Sequence, residues 1–209
     1  MSRRPHADAW NHNVHHHRIV LDAVPRGSTR ALDVGCGEGL LARDLSQVVP
    51  HVTAIDRDAP TIELARRHPC DGIEYVVGDL LTNELEPGSF DLVASIATLH
   101  HMDTAVGLRC LRELVRPGGT LVVIGLARSR YPRDAGYDLA GTVATRAHRL
   151  TKTFREVAAP MVWPPPLTFA ESRAVAEAEL PGASYRRHVL WRYSLIWVRE
   201  REGSGPSTA

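Results

Sequence analysis

Short apolar runs alternate along the chain with segments whose apolar residues recur at helical spacing. Five runs rich in Val, Ile and Leu have the length and composition of buried strands, and they lie at residues 30–35, 51–56, 73–79, 90–97 and 120–127. Helical periodicity marks residues 40–49, 59–68 and 104–115. Pro117, Gly118 and Gly119 are expected to end the last of these helices. Because parallel strands need crossovers that cover the sheet, the alternation predicts an α/β fold with helices on both faces.

The chain after residue 127 divides into an insertion and a regular C-terminal part. Residues 128–166 have a mixed pattern, with helical periodicity at 139–157, and end in three consecutive prolines. We interpret them as an insertion on the substrate side of the fold. Thr168 and Glu171 have the spacing of a capping box at the start of a further helix. Two strands that are close enough to pair antiparallel at the sheet edge follow at residues 184–190 and 193–199.

Length and composition narrow the class of protein. A chain of 209 residues suits one domain, which we place at residues 1–201, and the Gly-, Ser- and Pro-rich residues 202–209 are expected to form a disordered tail. No apolar run approaches the roughly 20 residues that span a bilayer, and the start of the chain lacks the apolar stretch of a secretory signal. Three cysteines, an odd number, fit reduced thiols. We therefore expect a cytoplasmic protein without a membrane partner.

Charge bears on the choice of partner. Lys and Arg number 25 against 24 Asp and Glu, and this balance makes nucleic acid an unlikely partner. Seven Arg or Lys lie between residues 128 and 155, where they either attract an anionic substrate or RNA or form a solvated face. Five large side chains of the insertion either line an apolar substrate pocket or form the insertion's own core, namely Tyr131, Tyr137, Phe154, Met161 and Trp163. The oligomeric state is left open.

A glycine-rich loop follows the first strand. Gly35, Gly37 and Gly39 stand at alternate positions in DVGCGEG, where backbone without a Cβ can turn sharply and approach a ligand. A dinucleotide-binding loop has the different spacing G-x-G-x-x-G. The pattern therefore favours a nucleoside-like cofactor over a nicotinamide dinucleotide, although a tight turn without a ligand has the same glycines.

Two aspartates end the next two strands. Asp56 lies about 20 residues after the glycine loop, where a carboxylate accepts hydrogen bonds from ribose hydroxyls, although alone it fits a helix cap equally well. Asp79 follows the third strand, beside Gly78 and Leu80, and can accept a hydrogen bond from an adenine amine or serve as a turn residue. Since parallel strands end at the same edge of a sheet, the loop and both aspartates are expected to share one crevice.

These motifs together resemble the class I S-adenosylmethionine-dependent methyltransferases. The resemblance covers residues 29–127 through DVGCGEG, Asp56, GDL, FDLVASIATLHHM and LRELVRPGGTLVVIG. It implies a Rossmann-like, doubly wound, mostly parallel sheet of seven strands with an antiparallel last strand, and S-adenosylmethionine as the cofactor. It also places the end of the fourth strand beside the sulfonium. The cofactor-binding residues that follow from the pattern and the resemblance are Asp33, Gly35, Cys36, Gly37, Asp56, Arg57, Gly78, Asp79, Leu80, Ile96 and Ala97.

Two groups of histidines remain. His100 and His101 follow the fourth strand, and as catalytic candidates they accept a proton from the acceptor, or else they cap a helix or stack on adenine. Five histidines lie between His6 and His17. One of them belongs to the segment WNHN, which is similar to the N-terminal segment of some bacterial small-molecule methyltransferases. We expect residues 9–25 to form a lid helix over the cofactor and no metal site, because no carboxylate or cysteine ligand follows at useful spacing.

The predicted function is methyl transfer from S-adenosylmethionine to an oxygen or nitrogen of a small molecule. RNA or protein methylation is the alternative within enzymes, but residues 96–99 read IATL rather than the aromatic–proline tetrapeptide of such enzymes. A cofactor-binding regulatory protein without turnover is the alternative outside them.

Overall fold

The computed structural model describes residues 9–82, 84–151, 153–154 and 163–201. Seven strands form one sheet: β1 (Arg30–Val34), β2 (His51–Asp56), β3 (Ile73–Val77), β4 (Phe90–Ile96), β5 (Val115–Leu126), β6 (Ser184–His188) and β7 (Arg192–Val198). Their spatial order is β3-β2-β1-β4-β5-β7-β6. Strands β1 to β5 pair parallel, and β7 is antiparallel to both of its neighbours. The predicted seven-stranded fold with an antiparallel last strand is confirmed.

The described ranges contain six α-helices: α1 (His17–Asp22), α2 (Leu40–Leu45), α3 (Ala59–Arg66), α4 (Thr104–Leu114), α5 (Ala135–Thr151) and α6 (Phe169–Glu179). One apolar core packs helices α1 to α3 on one face of the sheet, through Val20, Leu45 and Ile62 among others. The other core packs α4 and α6 on the opposite face, through Leu111 and Ala176. Burying a leucine or isoleucine side chain contributes roughly 1.5–3 kcal/mol, so both faces hold the sheet in place.

Local hydrogen bonds fix where the helices begin. The Asp58 carboxylate accepts from the Thr61 amide at the start of α3, a role that the sequence had left open for Asp56. The capping box of α6 is confirmed, since Thr168 and Glu171 exchange side-chain to backbone hydrogen bonds. Such caps typically stabilise a helix by about 1 kcal/mol.

The strand order reverses between β1 and β4, which are neighbours although two strands separate them in sequence. At such a switch point the connections leave in opposite directions and a crevice opens at the carboxyl ends of the strands. The ligand site is therefore expected above β1 and β4.

Two expectations about element ends were wrong. Helix α4 ends at Leu114 and β5 begins at Val115, so that Pro117, Gly118 and Gly119 lie within the strand. They form an irregularity there, because the register passes from Phe90–Val115 directly to Leu92–Thr120. A Cβ on Gly119 would lie 2.9 Å from the Asp91 carbonyl oxygen, and glycine permits this close passage.

The helix expected at 139–157 also differs, since it spans Ala135–Thr151. It cannot continue through Thr153–Phe154, because that pair of residues forms a short parallel strand pair with Ala9–Trp10. Residues 155–162 and the tail at 202–209 lie outside the described residues.

The C-terminal hairpin between β6 and β7 anchors the insertion. The Trp191 indole N–H donates to Asp138 Oδ1 at 2.9 Å. Arg187 pairs with Asp134 at 2.5 Å and places its guanidinium between the rings of Tyr137 (4.0 Å) and Phe169 (3.8 Å). The start of α5 is thus fixed by the hairpin. Among the helices of the described ranges, none is long and apolar enough to cross a membrane.

Candidate functional site

A cavity of about 530 Å³ opens at the carboxyl ends of β1 to β4. All eleven residues predicted to bind the cofactor line it: Asp33, Gly35, Cys36, Gly37, Asp56, Arg57, Gly78, Asp79, Leu80, Ile96 and Ala97. His101 also lines the cavity. His100 does not, because it lines a small separate cavity with Leu126 and Tyr193. The predicted cofactor-binding residues therefore form one site of nucleoside size, and His100 lies beside it.

The glycine loop owes its shape to two different constraints. Gly35 has a φ of 71°, and a Cβ there would lie 2.0 Å from the Thr98 Oγ1 atom, so its lack of a side chain serves packing within the protein. Gly37 has a φ of 53°, and no atom lies within 4 Å of the position that its Cβ would take. That position faces the open cavity, so a side chain at Gly37 would enter the ligand space.

The Asp56 carboxylate is held by the backbone on both oxygens. Gly37 donates its amide to Oδ2 at 2.8 Å, and Asp58 donates its amide to Oδ1 at 3.0 Å. Because a carboxylate oxygen has two acceptor directions, both oxygens keep capacity for ligand hydroxyls. The loop and the end of β2 thus place an oriented acceptor at the cavity wall.

Asp33 is a second acid in the cavity wall, at the end of β1. Burial, and then the nearby charge of Asp56, raise the pKa of this carboxyl to about 7. Its Oδ2 atom is buried and makes no hydrogen bond to any residue in the described part of the chain. A buried acceptor without a partner is costly, and a positively charged or hydrogen-bond-donating ligand would relieve that cost.

The neighbouring thiol is not reactive. Burial, with the charges of Asp33 and Asp56, raises the pKa of Cys36 far above its usual value. The thiol therefore stays protonated, and its role in the cavity wall is packing.

Asp79, in the loop after β3, has the turn role that the sequence left open for it. Its Oδ1 atom accepts from the Leu81 amide at 2.9 Å, as a turn aspartate does. Asp79 also lines the cavity beside Leu80, which is 6% exposed, and Gly78, whose amide donates to the Asp56 carbonyl. The turn thus presents a carboxylate and an apolar side chain to the same ligand space.

The end of β4 is strained where it meets the cavity. Ala97 has a φ of 56°, an uncommon conformation for a residue with a side chain and one that often marks functional sites. Thr98 donates its hydroxyl to the Val34 carbonyl at 3.2 Å, and it packs against Gly35. Sequence reasoning missed Thr98, because only the folded chain brings it to the glycine loop.

The two histidines after β4 lie ring against ring, with centroids 4.0 Å apart. Burial, and then the charge of His101, lower the pKa of His100 to about 4. Burial, and then the charge of Arg57, lower the pKa of His101. Both rings are therefore neutral at pH 7, and the ring of His101 can accept a proton from a group in the cavity.

The N-terminal segment covers part of the cavity, through Asn11, Asn13, Val14 and His17. It is less regular than the helix expected at 9–25, since a single 3-10 turn at Val14–His16 precedes the six-residue α1. The Asn11 side chain accepts from the amides of Asn13 and Val14 and so begins the turn.

His17 ties this segment to the body of the protein. Its Nδ1 atom lies 2.8 Å from the Asp44 carboxylate of α2, and its side chain is only 4% exposed. The WNHN motif marked the segment in the sequence, but the individual lining residues could not be read from it.

The large side chains of the insertion lie elsewhere. Tyr131 is 88% exposed, Trp163 is 61% exposed, and Tyr137 stacks on Arg187. None of these three lines the cavity, whereas the side chains of Phe154 and Met161 lie outside the described part. The exposure of Tyr131 and Trp163 is contrary to a role in a core of the insertion, whereas the lining of an acceptor pocket stays a prediction.

Comparison with known proteins connects this geometry to a family. A model described as a methyltransferase domain matches residues 32–123. An uncharacterized methyltransferase of Mycobacterium tuberculosis (strain ATCC 25618 / H37Rv) is 40% identical over 190 residues, which cover 90% of this chain and 96% of the relative.

More distant matches are also described as methyltransferases. A ubiquinone biosynthesis O-methyltransferase of Methylocella silvestris is 39% identical over 109 residues, which cover 50% of this chain and 43% of that protein. The solved structure of a SAM-dependent methyltransferase from Methanosarcina mazei superposes with a TM-score of 0.63 at 18% identity, over 88% of this chain and 98% of that chain. The last comparison bears on the fold alone.

Proposed function

Since the chain belongs to the class I S-adenosylmethionine-dependent methyltransferases, we propose that it methylates an oxygen or nitrogen of a small molecule and releases S-adenosylhomocysteine. The observation that carries the proposal is the meeting of the glycine loop, Asp56 and Asp79 in one cavity. The similarity to a ubiquinone biosynthesis O-methyltransferase supports a small acceptor that is methylated on oxygen.

The cavity fits the chemical groups of S-adenosylmethionine. The open space in front of Gly37 accommodates the cofactor where a side chain would block it. Asp56, fixed by two backbone amides, is suited to accept hydrogen bonds from the ribose hydroxyls. The Asp33 oxygen that has no partner among the described residues suits the positively charged methionine portion, and Asp79 with Leu80 suits the adenine.

When bound, S-adenosylmethionine supplies a methyl group on a positively charged sulfur. The protein's contribution is to hold the acceptor in line with that methyl group, because orientation accounts for much of the rate of such transfers. Ile96 and Ala97 form the wall where the resemblance places the sulfur. Neutral His101 is positioned in the cavity to take the proton that an acceptor hydroxyl or amine releases.

We also propose that residues 9–25 cover the cofactor and that the insertion at 128–166 borders the acceptor. Asn11, Asn13, Val14 and His17 at the cavity support the first part. The second part is supported by topology, because the insertion leaves the carboxyl end of β5, at the rim of the crevice. A cover of this kind excludes water from the reacting groups.

The proposal is tested by binding and by turnover. Calorimetry should show that S-adenosylhomocysteine binds with micromolar-scale affinity and that a nicotinamide dinucleotide does not. A screen of phenols, amines and carboxylic acids, monitored by release of S-adenosylhomocysteine, should then identify an acceptor. Binding without turnover on any class of acceptor would favour the regulatory alternative, and turnover on RNA or protein only would contradict a small-molecule acceptor.

A further inference from the structure

A buried cation lies just beyond the cofactor cavity. Arg192, the first residue of β7, is 9% exposed. One guanidinium nitrogen donates to Asn13 Oδ1 at 3.0 Å, and another is 3.5 Å from the Leu190 carbonyl oxygen. The Nε atom is buried and has no hydrogen-bond partner among the residues that the structure describes. Burial lowers the pKa of Arg192 to about 10, so the side chain keeps its charge at neutral pH.

The surroundings of Arg192 contain imidazoles where a buried arginine would normally have a carboxylate. Burial is the main cause that lowers the pKa of His16 and of His100 to about 4, and the charge of Arg192 adds to the effect on both. Both rings are therefore neutral at pH 7. Within the described ranges, no acid forms an ion pair with Arg192. A desolvated cation without an anion is unfavourable unless a ligand completes the site.

A second buried polar atom near Arg192 also lacks a partner. The Nδ1 atom of His100 makes no hydrogen bond to a described residue. In the tautomer that carries the proton on Nδ1, this atom is a donor. Arg192 Nε and, in that tautomer, His100 Nδ1 are thus two buried donors without a partner among the described residues, and the charge of Arg192 acts on the His100 ring.

The backbone places these groups beside the cofactor cavity. Leu190 and Trp191 have φ values of 71° and 56°, strained conformations that bring the chain back so that Arg192 pairs with Leu126 at the carboxyl end of β5. The ring of His100 lies 4.0 Å from that of His101, which lines the cofactor cavity. Arg192 also lies next to the wall of that cavity, because Asn13, which accepts its hydrogen bond, lines the cavity.

We propose that Arg192 and His100 bind a carboxylate group of the methyl acceptor. The inference rests on the proposed function and adds the chemical class of the substrate, a small carboxylic acid. A planar carboxylate matches the forked donors of one arginine. Because Asn13 occupies one guanidinium nitrogen, the carboxylate reaches Arg192 when the N-terminal segment lifts from the sheet.

The test uses thermal unfolding of the whole chain with carboxylates and their neutral counterparts. Formate, acetate and benzoate are compared with formamide, acetamide and benzamide at matched ionic strength, each with and without S-adenosylhomocysteine. The carboxylates should raise the melting temperature of the parent protein more than the amides do. Arg192→Gln, which can still donate to Asn13, should raise the half-saturating carboxylate concentration at least about tenfold.

Arg186→Gln is the matched control, because it removes the same charge from an exposed position on β6. It should leave the response to carboxylates unchanged. If Arg192→Gln does not fold, Arg192→Lys is used instead, because lysine keeps the charge but lacks the paired donors of the guanidinium. It should still prefer carboxylates, but bind them more weakly.

Equal responses of Arg192→Gln and the parent, or equal effects of amides and carboxylates, would overturn the proposal. A larger effect of inorganic phosphate than of any carboxylate would overturn it as well. Calorimetry with S-adenosylhomocysteine separates this outcome from failure of the proposed function, since the parent protein should bind that ligand whether or not it responds to carboxylates. A parent protein that responds to carboxylates but does not bind S-adenosylhomocysteine would leave the anion site standing and refute the proposed function.

Discussion

At the scale of single residues, similar motif positions have different physical roles. Gly35 must lack a side chain because Thr98 packs against it, whereas the Cβ position of Gly37 faces the open cavity. Each oxygen of Asp56 accepts one backbone amide and keeps capacity for a ligand, whereas Asp33 has a buried oxygen without a described partner. These differences separate residues that shape the loop from residues available to a ligand, and they allow substitutions whose effects on folding and on binding can be told apart.

Gly37→Val should abolish binding of S-adenosylhomocysteine while the domain stays folded. The new side chain would project into the cavity, and the φ of 53° adds backbone strain of roughly 1–2 kcal/mol. Gly27→Val is the matched control, because Gly27 also has a positive φ, of 75°, with open space around it, but lies outside the cavity lining. Similar losses of thermal stability in both variants, with loss of binding only in Gly37→Val, are expected. Unchanged affinity in Gly37→Val would show that the ligand lies elsewhere.

Asp56→Ala should weaken binding of S-adenosylhomocysteine by about 1–3 kcal/mol, as expected for loss of a charged hydrogen-bond acceptor. Calorimetry of the folded variant measures the change directly. Asp103→Ala provides the comparison, since it removes a helix-capping carboxylate away from the cavity. If the two variants bind equally well, the ribose is held by another group.

The stability of the protein should depend on the protonation of Asp33. Its pKa is about 7 in the folded protein against an ordinary value of 3.8, so between these pH values the folded state holds a proton that the unfolded state has released. Stability from this group is therefore present below pH 3.8 and is lost as pH rises towards 7, by up to about 4 kcal/mol. Asp33→Asn should remove this loss. Denaturant unfolding at several pH values should show that the free energy of unfolding of the variant rises relative to that of the parent as pH rises from 4 to 7. A difference that stays constant with pH would contradict the assignment.

At the scale of elements, the sequence predicted what periodicity and local motifs determine. The strands β1 to β4 and the capping box of α6 were placed correctly, because alternating apolar runs and the Thr168–Glu171 spacing are local signals. The end of α5 was missed, because pairing of Thr153–Phe154 with Ala9–Trp10 is a contact between distant parts of the chain. Thr98 and Arg192 escaped notice for the same reason, since their significance comes from neighbours that only folding supplies.

The contact between His17 and Asp44 is one of those that hold the N-terminal segment over the cavity. His17→Ala removes the contact with Asp44 and should lower S-adenosylhomocysteine affinity by about threefold to tenfold, while destabilising the protein by about 1–3 kcal/mol. His15→Ala changes an exposed residue of the same segment and should have little effect on either quantity. A fall in stability without a change in affinity would show that the segment packs on the domain without covering the ligand.

At the scale of the whole molecule, the sheet with its two cores and the less regular segments at its edge have different roles. The sheet and its two cores fix the glycine loop, Asp56 and Asp79. The N-terminal segment lines the cavity and the insertion leaves the carboxyl end of β5, and these two segments form the rim through which we propose that an acceptor enters. The C-terminal hairpin contacts both the insertion and the N-terminal segment, since Trp191 and Arg187 hold α5 while Arg192 holds Asn13. Binding of an acceptor is therefore expected to be sensed by both rim segments together.

Hydrogen exchange tests this division of labour in one experiment. Segments that close over a ligand come from the less stable parts of a fold and gain protection when the ligand is bound. Saturating S-adenosylhomocysteine should slow exchange in the glycine loop and in residues 11–25, because Asn11, Asn13 and Val14 line the same cavity as Gly37. An acceptor acid should add protection at α5 and at the β6–β7 hairpin, because the hairpin carries Arg192. Protection of the glycine loop alone would refute the cover formed by the N-terminal segment, and the acceptor would then enter over a rim that does not close.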